Sequence, residues 1–193
     1  MNIQYAISED IFDLFPDYCR GVVIAKDINN QGSSQELITR LRSAENELQS
    51  RLKPESLLDE PRIASWRGAY SQLGFKPGKY RPSMEALIRR VLKGDTIPAI
   101  SKIVDLCNLV SIQNLVPVGA HAIDVVSKDI ELRRASGKEI FEAFGSDEVE
   151  HPLPDEVIFV EGNTALTRRW TWRQAKHTLV SPKTAALEIN VDG

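Results

Sequence analysis

The chain has 193 residues, 42% of them hydrophobic and 26% charged, which is enough for one packed domain with a real core and cramped for two. A formal net charge of -3 excludes a globally basic nucleic-acid binder, so any contact with RNA must come from a local patch.

An extended start at residues 3–7 runs into a short segment, residues 9–15, that Pro16 ends. The β-branched run Gly21, Val22, Val23, Ile24, Ala25 then reads as a buried strand before a turn at residues 27–30. Ser33, with Glu36 three residues on, forms a capping box for a long helix striped by Leu37, Leu41, Ala44, Leu48 and Leu52. A second helix is expected over residues 60–72, and Gly74, Pro77 and Gly78 break the chain after it. The loop that follows falls short of a phosphate-binding loop, with three residues between its glycines' positions and Tyr80 where Ser or Thr is needed. Ser83 caps the next helix, in which Met84, Leu87, Ile88, Val91 and Leu92 keep helical spacing until Gly94. Arg89, Arg90 and Lys93 at its end read first as complements to the helix dipole and second as phosphate contacts. The helix expected over residues 100–113 is apolar on nearly every side, so Asp105 and Asn108 within it are either structural brackets or site residues.

Beyond Pro117 the pattern turns to strands, at 118–122, 129–133, 139–142, 156–161, 165–173 and 186–191, with Gly162 and Asn163 as a hairpin turn. The chain ends two residues after the last of these, as an excised portion of something longer would. Helices in the first half and strands in the second make the expected class α+β with mixed sheets, not a doubly wound nucleotide fold.

Cys19 and Cys107 are the only cysteines and have no redox or metal spacing, and His121, His151 and His177 form no metal-ligand motif. The expectation is no cofactor and no metal. No GxSxG element is present, and no apolar run approaches the roughly 18 residues of a membrane span. Glu9, Asp10 and Asp13 stand where a secretory signal needs a basic start, so a cytoplasmic protein with reduced thiols and no membrane association is expected. His151 reads as a loop residue, His177 as a phosphate ligand or plain surface, and His121 as a buried, satisfied histidine unless it lines a site.

The most unusual stretch is 163–187, which holds no acid in an acidic chain and carries Arg168, Arg169, Trp170, Trp172, Arg173 and Gln174. As one strand over 165–173 it would put Trp170 and Trp172 on one face with Arg168 and Gln174, and Thr167, Arg169, Thr171 and Arg173 on the other. The aromatic pair reads first as core packing and second as a base-stacking platform beside cations.

Three segments together resemble the editing domain of bacterial phenylalanyl-tRNA synthetase beta chains, the B3/B4 domain, and free-standing proteins built from it. They are Tyr80-Arg81-Pro82-Ser83-Met84-Glu85-Ala86-Leu87, the run from Val104 through Cys107-Asn108 to Pro117-Val118-Gly119-Ala120, and Arg168-Arg169-Trp170-Thr171-Trp172-Arg173-Gln174. The resemblance covers nearly all of residues 1–193, implying a single B3/B4-like domain with mixed sheets and flanking helices. It implies ester hydrolysis at the 3′ end of mischarged aminoacyl-tRNA, by a positioned water and without a covalent nucleophile. Asn108 carries over as the catalytic residue, orienting water or the carbonyl, while Cys107 replaces the family's threonine. Gly119 stands at the family's histidine position and His121 lies two residues on, on the same face of a strand. Arg169 and Arg173 would hold terminal phosphates, and Trp170 and Gln174 complete the expected substrate-binding set. The family's tyrosine-recognising glutamate has no counterpart near Arg173, Gln174 and Ala175, so another acyl group is implied. The partner implied is tRNA or aminoacyl-tRNA. A non-catalytic RNA-binding module and a binder of a small amino-acid-like ligand stay open as alternatives.

Overall fold

The structure, a computed structural model, describes residues 3–146 and 148–193. Five helices fill most of the first half: α1 (Glu9–Leu14), α2 (Gln35–Arg51), α3 (Pro61–Gln72), α4 (Ser83–Leu92) and α5 (Lys102–Asn114), with a 3-10 turn at Pro54–Asp59 that the sequence pattern did not signal. The strands are β1 (Tyr5–Ile7), β2 (Arg20–Ala25), β3 (Val118–Ala122), β4 (Ile130–Arg134), β5 (Phe141–Glu142), β6 (Val149–Glu150), β7 (Val157–Glu161), β8 (Thr164–Arg168), β9 (Arg173–Gln174) and β10 (Leu187–Asp192). The α+β class with mixed sheets is the observed one. A five-stranded sheet has the order β1-β4-β7-β8-β9, a three-stranded sheet the order β2-β10-β3, and β5 and β6 form a separate ribbon. Only the β1–β4 pairing is parallel among these ladders.

The stripes read from the sequence meet in one core. Leu41 and Leu48 of α2, Met84, Ile88 and Val91 of α4, and Leu109 and Ile112 of α5 are all buried and join Leu132, Phe159 and Leu166 of the large sheet. α4 ends at Leu92 with Lys93 as its C-cap, and Gly94 follows with a φ of +91°, a left-handed stop open to glycine at no steric cost. Glu85 on the same helix is fully buried and neutralised from both sides, by Arg67 at 3.0 Å and Arg89 at 2.8 Å.

Several expectations need correction. The cap of α2 is Ser34, whose Oγ accepts from the Leu37 amide at 3.2 Å. Ser33 instead donates to the buried Asp105 carboxylate, which also accepts from the Ile100 amide, so Asp105 is a bracket between α2 and α5. α4 begins at Ser83 after an N-cap at Pro82, and Ser83 makes no cap bond of its own. β2 is not a buried strand: it is the edge of its sheet, with Val22, Val23 and Ile24 exposed at 39, 56 and 51%. Its apolar run cannot distinguish a central strand from an uncovered edge. The expected strand over 165–173 is two strands joined by a turn at residues 169–172.

That turn reverses on side-chained residues. Arg169 (φ +45°) and Trp170 (φ +64°) are consecutive left-handed residues, a conformation rare outside glycine. The buried Glu156 holds the corner in place. Its carboxylate accepts both Nε and Nη2 of Arg168 at 2.8 Å and the Arg169 amide at 3.1 Å.

Candidate functional site

Strand alternation places Glu188, Asn190 and Asp192 of β10 on one face, and all three are buried. An ordinary half-buried strand would turn such residues to water. Here they form a polar layer against the large sheet, where Tyr5, His121 and the Arg20 guanidinium all sit over or beside the Phe159 ring. Arg20 binds Asp192 in a bidentate pair at 2.7 and 3.2 Å, and the Tyr18 hydroxyl donates to the same carboxylate. Arg20 also donates to the Tyr5 hydroxyl at 3.0 Å, and Tyr5 donates in turn to Glu188 Oε1 at 3.1 Å. Burial pushes the Glu188 carboxyl up to about 7, against the opposing pull of Arg20 and the Tyr5 bond. Its Oε2 has no hydrogen-bond partner, and neither does Asn190 Oδ1.

A cavity of about 170 Å³ opens over this layer, lined by Gly119, His121, Thr167, Trp170, Gln174 and Asn190 among others, with Ser83 of α4 and Arg173 also on its wall. His121 is buried, and burial, aided by Arg20, draws its pKa down to about 3, so the ring is neutral at physiological pH. Its Nδ1 lies 2.7 Å from Thr178 Oγ1 and its Nε2 3.2 Å from Thr167 Oγ1. A methyl group on Gly119 would lie 2.3 Å from Asn190 Oδ1, so the space a side chain would take at 119 already belongs to Asn190. Gln174 donates to the Ala120 carbonyl at 2.9 Å and forms part of a septum with Val118 and Gly119. Behind that septum lies a second hollow of about 250 Å³, bordered by Val104, Cys107, Asn108 and Phe144.

The expected site residues therefore separate. Gly119, His121, Trp170, Arg173 and Gln174 surround one cavity. Asn108 opens into the adjoining hollow, and of the expected set only Gly119 and Gln174 border both. Arg169 lies outside both linings. Its guanidinium is stacked 3.8 Å from the Tyr80 ring centre and 4.6 Å from that of Trp172, with Nε unpartnered. Burial lowers its pKa, with Glu156 at 3.6 Å acting in the opposite sense. Tyr80, Arg169, Trp172 and Arg173 thus form an aromatic–guanidinium ladder beside the cavity.

The two tryptophans do not share a face. Trp170 turns into the core against Phe15, Tyr18 and Trp66, while half-buried Trp172 packs edge-on to Tyr80. The cations of the acid-free stretch are met by acids from elsewhere in the chain. Arg168 pairs with Glu156 and Glu150, Arg173 with Glu150 at 3.1 Å, and Lys176 with Glu142 at 2.5 Å. Acids from β5, β6 and the segment before β7 neutralise the acid-free stretch. His177 pairs with Glu161 at 2.7 Å, and His151 bonds the Glu139 carbonyl at 2.8 Å. Among the described residues, no group of three or more His, Cys, Asp or Glu is placed to hold a metal ion, and no helix is long and apolar enough to cross a membrane.

Sequence reasoning missed Ser83, Thr167, Thr171, Asn190 and Asp192 as wall residues. The alternation Leu187, Glu188, Ile189, Asn190, Val191, Asp192 was visible. Alternation alone assigns two faces and does not say which is inside.

The fold and site define an α+β chain with a small polar cavity between two sheets. The B3/4 domain family model matches residues 65–193, about two thirds of the chain, and the protein belongs to that family. Among solved structures, the chain is similar to an N-terminal fragment of the phenylalanyl-tRNA synthetase beta-subunit from Pyrococcus horikoshii, at 12% identity and a TM-score of 0.47. That match takes in 100% of this chain and 44% of the other, so the chain spans less than half the length of that structure. A comparison with curated proteins gives no match.

Proposed function

We propose that this protein binds the aminoacylated 3′ end of a tRNA and hydrolyses its ester in trans. The whole chain is taken as one B3/4-type unit, because β1 and β2 from the residues before the matched region complete the two sheets. The observation that carries the reading is the neutral His121–Thr167 pair on the wall of a cavity whose neighbouring ladder is aromatic and cationic. Neutral His121, bonded to Thr167, is able to hold and orient a water against the acyl carbon by hydrogen bonding, without taking its proton. Ser83 brings the first turn of α4 to the same cavity, where the positive end of the helix dipole favours the oxygen that gains charge. The ladder of Tyr80, Arg169 and Trp172 offers a stacking platform for an unpaired terminal base.

Covalent catalysis by Cys107 is disfavoured, since burial, with Glu188 adding, pushes its thiol up to about 12. Tyrosine specificity also lacks support, because the carboxylate on this cavity, Asp192, is already engaged by Arg20 and Tyr18. A different acyl group is the proposed substrate.

The test is deacylation of a panel of mischarged tRNAs. At least one should lose its amino acid faster than in buffer, and His121→Gln should slow that reaction by about 100-fold, the size of effect that misplacing a positioned water produces. No acceleration with any tRNA removes the hydrolase reading. Salt-sensitive tRNA binding without deacylation would identify a binding module. Thermal stabilisation by free amino acids, with none from tRNA, would identify a small-ligand binder.

A further inference from the structure

Residues 61–94 hold eight Lys or Arg and a single acid, Glu85, in a chain whose acids otherwise outnumber its cations. Glu85 is buried and already answered by Arg67 and Arg89. The cations of the later strands are met by Glu142, Glu150 and Glu156. Arg81, Arg90 and Lys93 are instead exposed and, among the described residues, pair with no carboxylate. Together with Ala86 and Arg89 they border a hollow of about 300 Å³, whose one acid, Asp95, makes no ion pair either. Ala86, Arg90 and Lys93 recur at four- and three-residue steps, so they share the face of α4 opposite buried Met84, Ile88 and Val91. Arg90 donates from Nε to the Thr96 carbonyl at 2.7 Å, so only one of its nitrogens is committed. The helix dipole accounts for cations in the last turn of α4. It does not account for Arg81, which precedes the helix at its positive end and still reaches the same hollow. Mutual repulsion of cations around one hollow is relieved by an anionic guest. Arg81 directly follows Tyr80 of the aromatic–guanidinium ladder, and Ser83 lines the cavity. From Ser83 to Lys93 the chain advances about 15 Å along the helix axis, so cavity, ladder and hollow are strung along one element. No large hydrophobic side chain between residues 59 and 99 is exposed, so the face lacks the apolar side that a membrane surface would embed.

We infer that the outward face of α4 binds the phosphate backbone of the RNA strand whose 3′ end enters the cavity, with Arg81, Arg90 and Lys93 as its contacts. This rests on the reading of the cavity as the site of an aminoacylated 3′ end and adds where the rest of that strand lies. Contacts to phosphate carry no sequence information, so the face holds unrelated RNA sequences alike and leaves selection to the cavity.

The experiment measures binding of the full chain to an uncharged RNA hairpin with an unpaired 3′ tail, by fluorescence anisotropy from about 50 to 200 mM KCl. The unmodified chain should bind, with log K falling linearly against log salt. Arg81→Gln, Arg90→Gln and Lys93→Gln combined should lower that slope by about 2, at roughly 0.7 per phosphate on a single strand, and weaken binding at the lowest salt by about 10-fold or more. Arg81→Lys with Arg90→Lys keeps the charge and should keep the slope, which a variant damaged in its fold would not. Removing the same charge at exposed Lys26, Lys128 and Lys183, on other segments, should leave the slope unchanged. An absence of RNA binding by the unmodified chain overturns the inference. So does an unchanged slope in the α4 triple variant, or an equal fall in the control triple variant. Binding to vesicles of anionic lipid that needs the three cations, beside RNA binding that does not, overturns it in favour of a membrane surface. RNA binding that needs the three cations, alongside failed tRNA deacylation, sinks the hydrolase reading alone. Deacylation with KM unchanged in the α4 triple variant sinks the α4 face alone.

Discussion

A side chain at position 119 collides with Asn190 before it meets anything else, since a Cβ would sit 2.3 Å from Oδ1 and 3.3 Å from Cγ and Nδ2. Gly119 is outside the left-handed region, so the effect of Gly119→Ala is steric and not conformational. Asn190 is buried directly opposite Gly119 on the paired strand, so Gly119→Ala should destabilise by about 1–3 kcal/mol, as overpacking does. In a double-mutant cycle by urea unfolding, Asn190→Ala should recover most of that loss in the Gly119→Ala background. Additive losses would mean that the two residues do not share this space. The resemblance picked out position 119 in the sequence, but not its reason. Cross-strand register, with Asn190 opposite Gly119, exists only once β10 pairs with β3. His121 was legible as buried and satisfied, whereas its partners Thr167 and Thr178 come from distant segments that no spacing rule connects.

The corner between β8 and β9 shows how an element is decided by a distant side chain. Alternation over 165–173 is a fair reading of the sequence, and β3 at 118–122 shows the same reasoning succeeding where nothing intervenes. At Arg169 and Trp170 it fails because Glu156 gathers Arg168 and the Arg169 amide, and the Trp170 ring is drawn into the cluster with Phe15, Tyr18 and Trp66. Those interactions outweigh the local cost of two left-handed residues, on the order of 1–3 kcal/mol each. Glu156→Gln removes one partner of a nearly inaccessible ion pair and leaves Arg168 with Glu150 alone on the carboxylate side. The expected loss is about 3 kcal/mol, toward the lower end for breaking a buried pair because Glu150 remains. Urea unfolding followed by tryptophan fluorescence reads both the stability and the Trp170 environment. A variant within 0.5 kcal/mol of the parent, roughly the range of neutral surface changes, would show that packing of Trp170 sets the corner without Glu156.

At the scale of the molecule, the α+β layering was readable from helical stripes followed by short strands, but the polar layer between the sheets was not. Two groups in that layer impose opposite pH dependences on stability. Glu188 titrates at about 7 in the folded chain against 4.5 ordinarily, so its contribution is fully present below about pH 4.5 and is lost as pH rises through 7. His121 titrates at about 3 against 6.5, so its contribution is present above about pH 6.5 and is lost as pH falls toward 3. Between pH 4.5 and 6.5 the two slopes have opposite sign and nearly cancel in this pair. Replacing Glu188 by Gln removes only the descending one, so the variant's unfolding free energy, relative to the parent's, should rise with pH across that window by about 1.4 kcal/mol per pH unit at most. Replacing His121 by Gln should tilt the difference the other way. Of the groups that act on Glu188, Tyr5 is raised beyond the window and Cys107 titrates near 12, while Arg20 stays charged throughout and Asp192 is ion-paired to it. Glu139, held down to about 2 by hydrogen bonds from Ser136 and Arg133 that outweigh its burial, is common to parent and variants and drops out of the difference. Urea unfolding of the three proteins at half-unit steps from pH 4.5 to 8 measures both tilts. Parallel curves for parent and Glu188→Gln would place the Glu188 carboxyl in contact with water, and the polar layer would then be an open surface, not the floor of a closed site.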